Sequence, residues 1–346
     1  MANQTRQLAS LLTESGLGAE IVRVNAPHRP AWIGRVRVVR AAFRLLPYLW
    51  RLWRCVGRVD LLHVMANSGW AWHLYAAPAV WMAHLRGKPA IVNYRGGEAE
   101  IFLDRQFAWM RPTLQRAHCV VVPSGFLQGV FARWGVKTVI VPNIVDLARF
   151  RPAPRDADRL HIVVARNLED IYDVPTALRA FAQIRAAHPA ARLSVAGSGP
   201  KRGELERLSN ELGLGAAVRF TGRLENERMA DLYRDAGLLL NPSLVDNMPI
   251  SVLEALASGV PIVTTNVGGT PFVVEHEKTA LLVPPRDPEA MARAALRLIG
   301  DRALASRLRA AGLDAVECYA WPNVREELLS VYTRATGRVQ STARRS

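Results

Sequence analysis

Residues 238–270, LLLNPSLVDNMPISVLEALASGVPIVTTNVGGT, constrain the fold more than any other stretch of this chain. They read as strand, acid-bearing loop, helix, strand and Gly-Gly loop. Leu238–Leu240 is a short apolar run, and Asp246 stands in the loop that follows. Pro249 suits a first helical position, and Gly259 suits a left-handed C-cap. Ile250, Leu253, Leu256 and Ala257 recur at helical spacing, so one face of that helix is buried. Pro261–Thr265 is the next strand and Gly268-Gly269 the next turn. Asp246 and Glu254 are eight residues apart, one just before the helix start and the other a turn and a half inside it. Two carboxylates and a set of free backbone N–H groups therefore surround one anion-binding helix start. Such a site fits a phosphate-bearing ligand with hydroxyls at both ends.

The rest of the chain repeats this alternation. In the first half the strand candidates are Ala19–Val24, Leu61–Val64, Ala90–Tyr94, Cys119–Val122 and Thr138–Val141. In the second half they are Leu160–Ala165, Arg192–Ala196, Val218–Thr221, Gly237–Leu240 and Pro261–Thr264. Helical patterns fall between them, which implies parallel sheets with helices on both faces. A chain of 346 residues has room for two such domains. The Pro-rich, charged segment Phe150–Arg159 reads as the linker. Two doubly wound domains, with ligand at the carboxyl ends of their strands, is the simplest architecture. The start is unusual: Asn3–Ser15 already reads as a helix, so the opening strand and glycine turn of such a domain are expected to be missing. Pro322–Arg334 reads as the last helix, and the polar, basic residues Thr336–Ser346 as a disordered tail.

Composition narrows the class. Three scattered cysteines, Cys55, Cys119 and Cys318, form neither a disulfide framework nor a zinc spacing, which suits a reducing cytoplasm. No apolar run approaches the roughly 20 residues that span a bilayer. The net charge of +15 points to nucleic acid, anionic lipid or a phosphorylated substrate. No acid occurs between Glu20 and Asp60, whereas Arg35, Arg37, Arg40, Arg44, Arg51, Arg54 and Arg58 alternate with Trp32, Phe43, Tyr48, Trp50 and Trp53. Pro47 should kink or break the helical pattern here. Residues 31–58 read as a helix lying on an anionic membrane surface, or as a surface helix whose aromatic face joins the core. No RNP-type, zinc-finger or helix-turn-helix pattern supports nucleic acid.

Smaller features add chemistry. The Gly197–Pro200 turn follows a strand and could let a nucleotide approach the backbone, or could be an ordinary strand-to-helix turn. Arg166 follows the strand Leu160–Ala165, where a cation could hold a diphosphate or be a solvated loop residue. Asp156-Ala157-Asp158 has the look of a metal-binding pair, but sits in the linker and reads as solvent-facing. No His/Cys cluster suggests a transition metal. His63, near Asn67, Ser68 and Gly69, is more simply structural than catalytic.

The series VVARNLEDIYDVPTALRAF, SVAGSGPKRGELERLSNELGLGAAVRFTGRL, LLLNPSLVDNMPISVLEALASGVPIV and TTNVGGT resembles the retaining glycosyltransferases of family 4 (glycosyl transferases group 1) in order and spacing. RVDLLHV, VVPSGF and VPNIVDLARF match weaker signatures in the first half. The resemblance runs from residue 1 to about 335 and implies the GT-B fold: α/β, with two Rossmann-like doubly wound domains facing each other across a cleft. It implies an acceptor-side domain over 1–149 and a nucleotide-sugar-binding domain over 150–318. A helix over 319–335 would return to the first domain, and 336–346 would form the tail.

Asp246 and Glu254 occupy the ends of the family's Glu-x7-Glu motif, the first acid near the transferred sugar and the second on the donor ribose. Asn247, Met248, Pro249 and Ile250 lie where backbone groups meet the sugar and phosphate, with Gly197 also on the donor side. Arg166 matches the arginine that holds the donor diphosphate. Such enzymes resemble one another in needing no metal or cofactor, because cations and a helix N-terminus stabilise the leaving nucleotide diphosphate. The expected partners are a nucleotide-sugar and a lipid-linked or polysaccharide acceptor, with no nucleic acid. The expected place is the cytoplasm, at the inner face of the cell membrane.

The chain departs from the pattern at several points. Asp246 stands for a glutamate. Ile171 and Tyr172 stand where a lysine is expected, and Ile144 replaces the glycine of the usual Asn-Gly-Val-Asp. Arg95 stands where many members place an active-site histidine; always protonated, it would hold a phosphate or acceptor rather than act as a base. The expected reaction is retaining hexosyl-type transfer from a nucleotide-sugar. The alternative is a catalytically weakened GT-B protein acting as a binding or scaffold partner. A nucleotide-dependent enzyme of another class would need a full Gly-x-Gly-x-x-Gly turn with its acidic partner, which is absent.

Overall fold

A computed structural model of the chain describes residues 2–24, 37–153 and 158–337, excepting the side chains at 2, 3 and 37–44. The chain divides into two compact units, Met1–Pro142 with Arg325–Ser346, and Asn143–Val324.

In the first unit, β1 (Leu62–Ala66), β2 (Ala90–Tyr94), β3 (Cys119–Val122) and β4 (Thr138–Ile140) form a parallel sheet in that order. Val64 lies opposite Val92, and Val92 opposite Val120. Every residue of β2 is buried, as expected of a central strand covered on both faces. Val92, Tyr94, Val120 and Val122 share one core with Trp72, Leu103 and Phe131. Helix α1 (Ala2–Glu14) ends at Gly16, whose φ of +84° allows the Gly16 N–H to reach Thr13 O (2.9 Å) and the Leu17 N–H to reach Leu12 O (3.0 Å). Ala19–Val24 is not a strand. Its pattern suits one, but no strand among the described residues pairs with it, and a strand without a neighbour leaves its ladder groups unbonded.

Helix α2 (Arg37–Val56) runs through Pro47 as one helix, so of the kink or break expected there the break does not occur. Pro47 is exposed, so the carbonyl one turn back that loses its N–H partner lies on the solvent side. Tyr48, Leu52, Cys55 and Val56 enter the core, and the Tyr48 hydroxyl donates to Tyr75 O at 2.9 Å. Leu46, Trp50 and Trp53 face outward. The aromatic residues of this helix therefore divide between the two roles weighed above. Trp32 and Arg35 lie outside the described residues.

The second unit holds β5 (Asp158–Ala165), β6 (Arg192–Ala196), β7 (Val218–Gly222), β8 (Ala236–Asn241), β9 (Ile262–Thr265) and β10 (Leu281–Val283). The parallel order is β10-β9-β8-β5-β6-β7, a doubly wound sheet whose order reverses between β5 and β8. Alternate residues of β5 enter opposite cores. After α3 (Ala77–Leu85), α4 (Ala99–Leu114) and α5 (Gly125–Ala132) of the first unit, Ile162 and Val164 share a core with α6 (Val174–Ala187), α7 (Arg202–Glu211) and α10 (Pro288–Gly300). Val163 packs with α8 (Asn226–Asp235) and α9 (Ile250–Ala257). Each strand read from the sequence after residue 60 falls on one of β1–β9. β10 was not read, because three residues carry too little periodicity.

Pro249 is the N-cap residue of α9 and not its first helical residue, one position off the expectation, while the other end follows the sequence logic. At the other end Gly259, φ +65°, donates to Leu256 O at 3.0 Å, and Val260 N–H reaches Ala255 O at 2.9 Å. Of the segment read as a linker, Phe150 is buried against Tyr233, Asp158 and Arg159 open β5, and residues 154–157, with Asp156, lie outside the described residues. Asp158 is exposed and pairs with Arg192 at 3.2 Å. The last helix, α12 (Trp321–Thr336), belongs from Arg325 onward to the first unit. Most of the segment read as a disordered tail, residues 338–346, lies outside the described residues.

Candidate active site

The strand order of the second unit reverses between β5 and β8, and the carboxyl ends of two such strands are where open α/β sheets place a ligand crevice. Arg166 follows β5 and Asp246 lies in the loop after β8, so the sheet brings together two residues far apart in the chain. The Arg166 Nη2 and Asp246 Oδ2 atoms are 2.6 Å apart, and both side chains are about nine-tenths buried. The contact is an ion pair rather than an aligned hydrogen bond. Arg166 Nε donates to Asn241 Oδ1 at 2.6 Å, and Tyr172 lies face-on to the guanidinium, 5.3 Å from its ring centre. Asn241 is itself fixed by Nδ2 donating to Thr264 Oγ1 (2.8 Å), and its Oδ1 also accepts from Ser243 Oγ (3.2 Å). A guanidinium held at Nε keeps its two Nη groups in a fixed fork, with Nη2 buried against Asp246.

Both carboxylates are shifted toward their neutral forms. Burial pushes Asp246 up, opposed by Arg166 and by the backbone N–H groups of Met248 and Asn247. Burial pushes Glu254 up to about 8, opposed by a hydrogen bond from Tyr233 and by the charges of Arg166 and Arg149. Part of the Glu254 surface reaches solvent, yet its carboxyl lies deep among protein atoms. One buried cation thus serves two buried acids.

The Glu254 shift has a measurable consequence. A free glutamate titrates at about 4.3, so between that value and about 8 the folded protein holds a proton that the unfolded chain has lost. The stabilising contribution is fully present below the lower value and is lost as pH rises through the upper one, by roughly 5 kcal/mol. Glu254→Gln is expected to flatten this slope and to be the more stable protein at pH 8. Urea unfolding at pH 5 and pH 8 measures it; equal slopes in both proteins would contradict the assignment.

Backbone contacts shape the rest of the site. Asn143 Nδ2 donates to Met248 O at 2.9 Å, holding the loop ahead of α9. Asn247 and Met248 are buried, and Ile250 opens α9 half-buried. A Cβ on Gly269 would lie 1.7 Å from Asn247 O, and the Gly269 N–H donates to Asp246 O at 2.7 Å. A Cβ on Gly197 would lie 1.8 Å from Arg166 O, and Leu168 N–H donates to Ser198 O at 3.1 Å. The Gly197–Pro200 turn is therefore pressed against the Arg166 loop, and its glycine is required by that packing. The second unit thus sets Asp246 against Arg166, packs Gly197 against the Arg166 loop, and carries Asn247, Met248, Pro249, Ile250 and Glu254 on the loop and helix that follow Asp246.

Arg95 belongs to the first unit, where it follows β2. Its Nε donates to Asn93 Oδ1 at 3.0 Å. Asn93 Nδ2 contacts His63 Nε2 at 3.0 Å, and His63 Nδ1 contacts Tyr332 Oη at 2.8 Å. Asn93 Nδ2 can only donate, so His63 Nε2 accepts and Nδ1 carries the proton toward Tyr332. Burial, with the nearby Arg95 charge, pushes His63 down to about 3, so the ring is neutral. Burial pushes Arg95 down only to about 10, so its charge survives at neutral pH. The structural reading of His63 stands: it is one link in a buried chain that orients Arg95.

Sequence reading missed Asn241 and Tyr233. A polar residue closing the apolar run Leu238–Leu240 was the available signal for Asn241. Tyr233 carried none, because it reaches Glu254 from a helix of ordinary amphipathic pattern.

Residues 4–149 match the family model described as glycosyltransferase family 4, and residues 146–314 that of glycosyl transferases group 1. The chain belongs to glycosyltransferase family 4. Among its relatives is the D-inositol 3-phosphate glycosyltransferase of Streptomyces avermitilis, 31% identical over 218 residues, covering 58% of this chain and 47% of the relative. An uncharacterized glycosyltransferase of Methanocaldococcus jannaschii is 33% identical over 156 residues, covering 45% of this chain and 40% of the relative. The chain spans about half the length of the curated relatives it matches. The fold of this family 4 chain is similar to that of sucrose-phosphate synthase from Thermosynechococcus elongatus, with TM-score 0.77, 22% identity, and coverage of 95% of this chain and 92% of that one. It is also similar to Anabaena HepE in complex with UDP and glucose, with TM-score 0.74, 17% identity, and coverage of 94% and 88%. At these identities the likeness is one of fold: two parallel-sheet α/β units of the GT-B class.

Proposed function

We propose that this chain transfers a hexosyl-type sugar from a nucleotide-sugar to a hydroxyl of a lipid-linked or polysaccharide acceptor, with retention and without a metal. The observation that carries the reading is the buried Arg166–Asp246 ion pair at the strand-order reversal, with Glu254 inside the adjoining helix. Without ligand, Asp246 is the counter-ion of Arg166. A donor diphosphate is a better partner, because its oxygens accept from both Nη groups. Its arrival releases the Asp246 carboxylate toward the sugar hydroxyls. Glu254 takes the ribose hydroxyls, which favours its ionised form and couples donor binding to proton loss. The N-terminal amides of α9 and the Arg166 charge stabilise the departing nucleotide diphosphate. The leaving phosphate then assists attack on the same face of the sugar, so no side-chain base is needed. Arg95, charged at neutral pH, holds a phosphate or the acceptor. UDP in the HepE structure supports a nucleotide at this class of site. The weakened-scaffold reading is less favoured, since both acids and the diphosphate cation are present.

Release of nucleotide diphosphate from a panel of nucleotide-sugars tests the proposal. Turnover by the wild type and its loss in Glu254→Ala is the expected result. No turnover with any donor, including in a chain extended upstream of Met1, would overturn it.

We place the reaction at an anionic membrane surface on the cytoplasmic side, through α2. Leu46 (67% exposed), Trp50 (59%) and Trp53 (40%) are turned outward, with Arg54 stacked on Trp50 and Arg86 on Trp53. Outward aromatics stacked with arginines suit contact at the interface, and no helix among the described residues is long and apolar enough to cross a membrane. Sedimentation with anionic vesicles should show binding at low salt that weakens as salt rises. Negligible sedimentation at every salt concentration would count against it.

A further inference from the structure

Tyr233 comes from α8 and is fully buried, so its hydroxyl makes its hydrogen bonds inside the protein. Phe150 lies edge-on to its ring with centroids 6.1 Å apart, and Val163, Leu239 and Val252 share its core. The hydroxyl donates to Ser251 O at 3.2 Å and is also in hydrogen-bond contact with the Glu254 carboxyl. Ser251 and Glu254 are three residues apart on α9, so one face of that helix presents both to the same phenol.

Packing does not require this hydroxyl. Ser251 O lies inside α9, where it already accepts the helical bond from the N–H four residues on. A phenylalanine ring would fill the same space. What the hydroxyl adds is a choice of acceptor, because a phenol has one hydrogen to give and lone pairs to receive another. While Glu254 is neutral, its O–H gives to Tyr233 Oη and the phenol hydrogen stays on Ser251 O. Once Glu254 is ionised, the phenol hydrogen turns to the carboxylate, and Ser251 O keeps its helical partner. Neither state leaves a buried group unpaired. Burial, with the Glu254 charge adding to it, holds the phenol well above its ordinary range, so Tyr233 stays a donor in both states.

The cations near Glu254 have other partners. Arg166 faces it from the end of β5 and Arg149 from the segment ahead of β5. Arg166 is paired with Asp246 at 2.6 Å, and Arg149 with Asp146 at 3.4 Å and with Glu227 of α8 at 3.6 Å. Helix α11 (Arg302–Val316), on the other side of α9, meets it with Gly312 against Leu256. Tyr233 is thus the donor that can follow a change of charge on Glu254.

We propose that Tyr233 is a positioning residue for donor binding: when the donor ribose arrives, its hydroxyl turns from Ser251 O to the Glu254 carboxylate and holds the ionised acid against the ribose hydroxyls. The Glu254 O–H bond breaks, its proton goes to solvent, and no other covalent bond changes. This rests on the reading of Glu254 as the ribose partner, and it adds what lets a buried acid carry charge there.

Calorimetry on the full chain between about pH 6 and pH 9 tests it, with UDP, GDP and ADP and their 2′,3′-dideoxy counterparts as probes. In the wild type the ribonucleotide should bind more tightly than its dideoxy form, and the difference should grow as pH rises. Tyr233→Phe removes a hydrogen bond to the charged acid, so the rise should move up by about one pH unit or more. At pH 7 that is about tenfold weaker ribonucleotide binding, with the dideoxy form unchanged. In a Glu254→Gln background, adding Tyr233→Phe should have no further effect. A wild-type pH profile in Tyr233→Phe would overturn the proposal alone, as would equal loss for both forms of the nucleotide or the same loss in the Glu254→Gln background. A wild type that binds both forms alike, or a Glu254→Gln protein with the wild-type profile, would overturn the ribose reading and the proposal with it.

Discussion

Gly269→Ala is expected to destabilise the second unit by about 3 kcal/mol or more and to abolish donor binding with it. The backbone angles are not the obstacle: Gly269 has φ −84° and ψ −5°, which any residue adopts. Space is the obstacle. The added Cβ would meet Asn247 O at 1.7 Å, and that oxygen is backbone, so it cannot rotate away. Either the Gly268-Gly269 turn or the Asp246–Met248 loop must move, and the 2.7 Å bond from Gly269 N–H to Asp246 O is lost in either case. Gly300→Ala is the matched control, since a Cβ there meets nothing within 4 Å. Urea unfolding of both variants measures the difference; a Gly269→Ala protein as stable as Gly300→Ala would refute the packing argument.

Arg166→Gln is expected to have the second large effect, on stability and on donor affinity together. Removing one member of a buried ion pair leaves the other without compensation, at a cost of about 3–5 kcal/mol when the remaining charge cannot be quenched. Asp246 can quench it by taking a proton. Its pKa is already raised by burial and is held back chiefly by Arg166. In the variant it rises further above the unfolded value, so the stability deficit is small at low pH and grows as pH increases through the new value. Adding Asp246→Asn should restore much of the stability at pH 8. It should not restore nucleotide binding, because the diphosphate cation is still missing. Loss of two charge-assisted hydrogen bonds predicts about a hundredfold weaker nucleotide diphosphate binding. Unfolding curves at two pH values, with a titration of each variant, separate the two consequences.

Much of this site was legible in sequence because its punctuation is local. Pro249 and Gly259 bracket α9, and the Gly259 cap bonds formed as the glycine predicted. The spacing of Asp246 and Glu254 placed both acids at one helix start. What sequence could not give was the pairing of Asp246 with Arg166. That contact depends on β5 and β8 being neighbours, a property of sheet order and not of any local pattern. The same limit hid Tyr233 beneath Glu254. It also concealed why Gly197 and Gly269 are glycines, since each is required by a carbonyl from a distant segment. Ala19–Val24 shows the converse failure: the pattern of a strand is present, but a strand exists only with a partner. In α2, the sequence correctly marked the aromatic residues but not their sorting, with Tyr48 packed inward and Trp50 and Trp53 outward.

Donor recognition at Arg166 is the claim on which the rest depends, and equilibrium titration with nucleoside diphosphates tests it most directly. The measurement needs no knowledge of the sugar or the acceptor. Wild type should bind at least one nucleoside diphosphate without added metal, more tightly as pH rises toward 8 and Glu254 ionises. Arg166→Gln should bind the same ligand about a hundredfold more weakly. Equal affinity in the two proteins, or no binding of any nucleoside diphosphate by the wild type, would contradict the account.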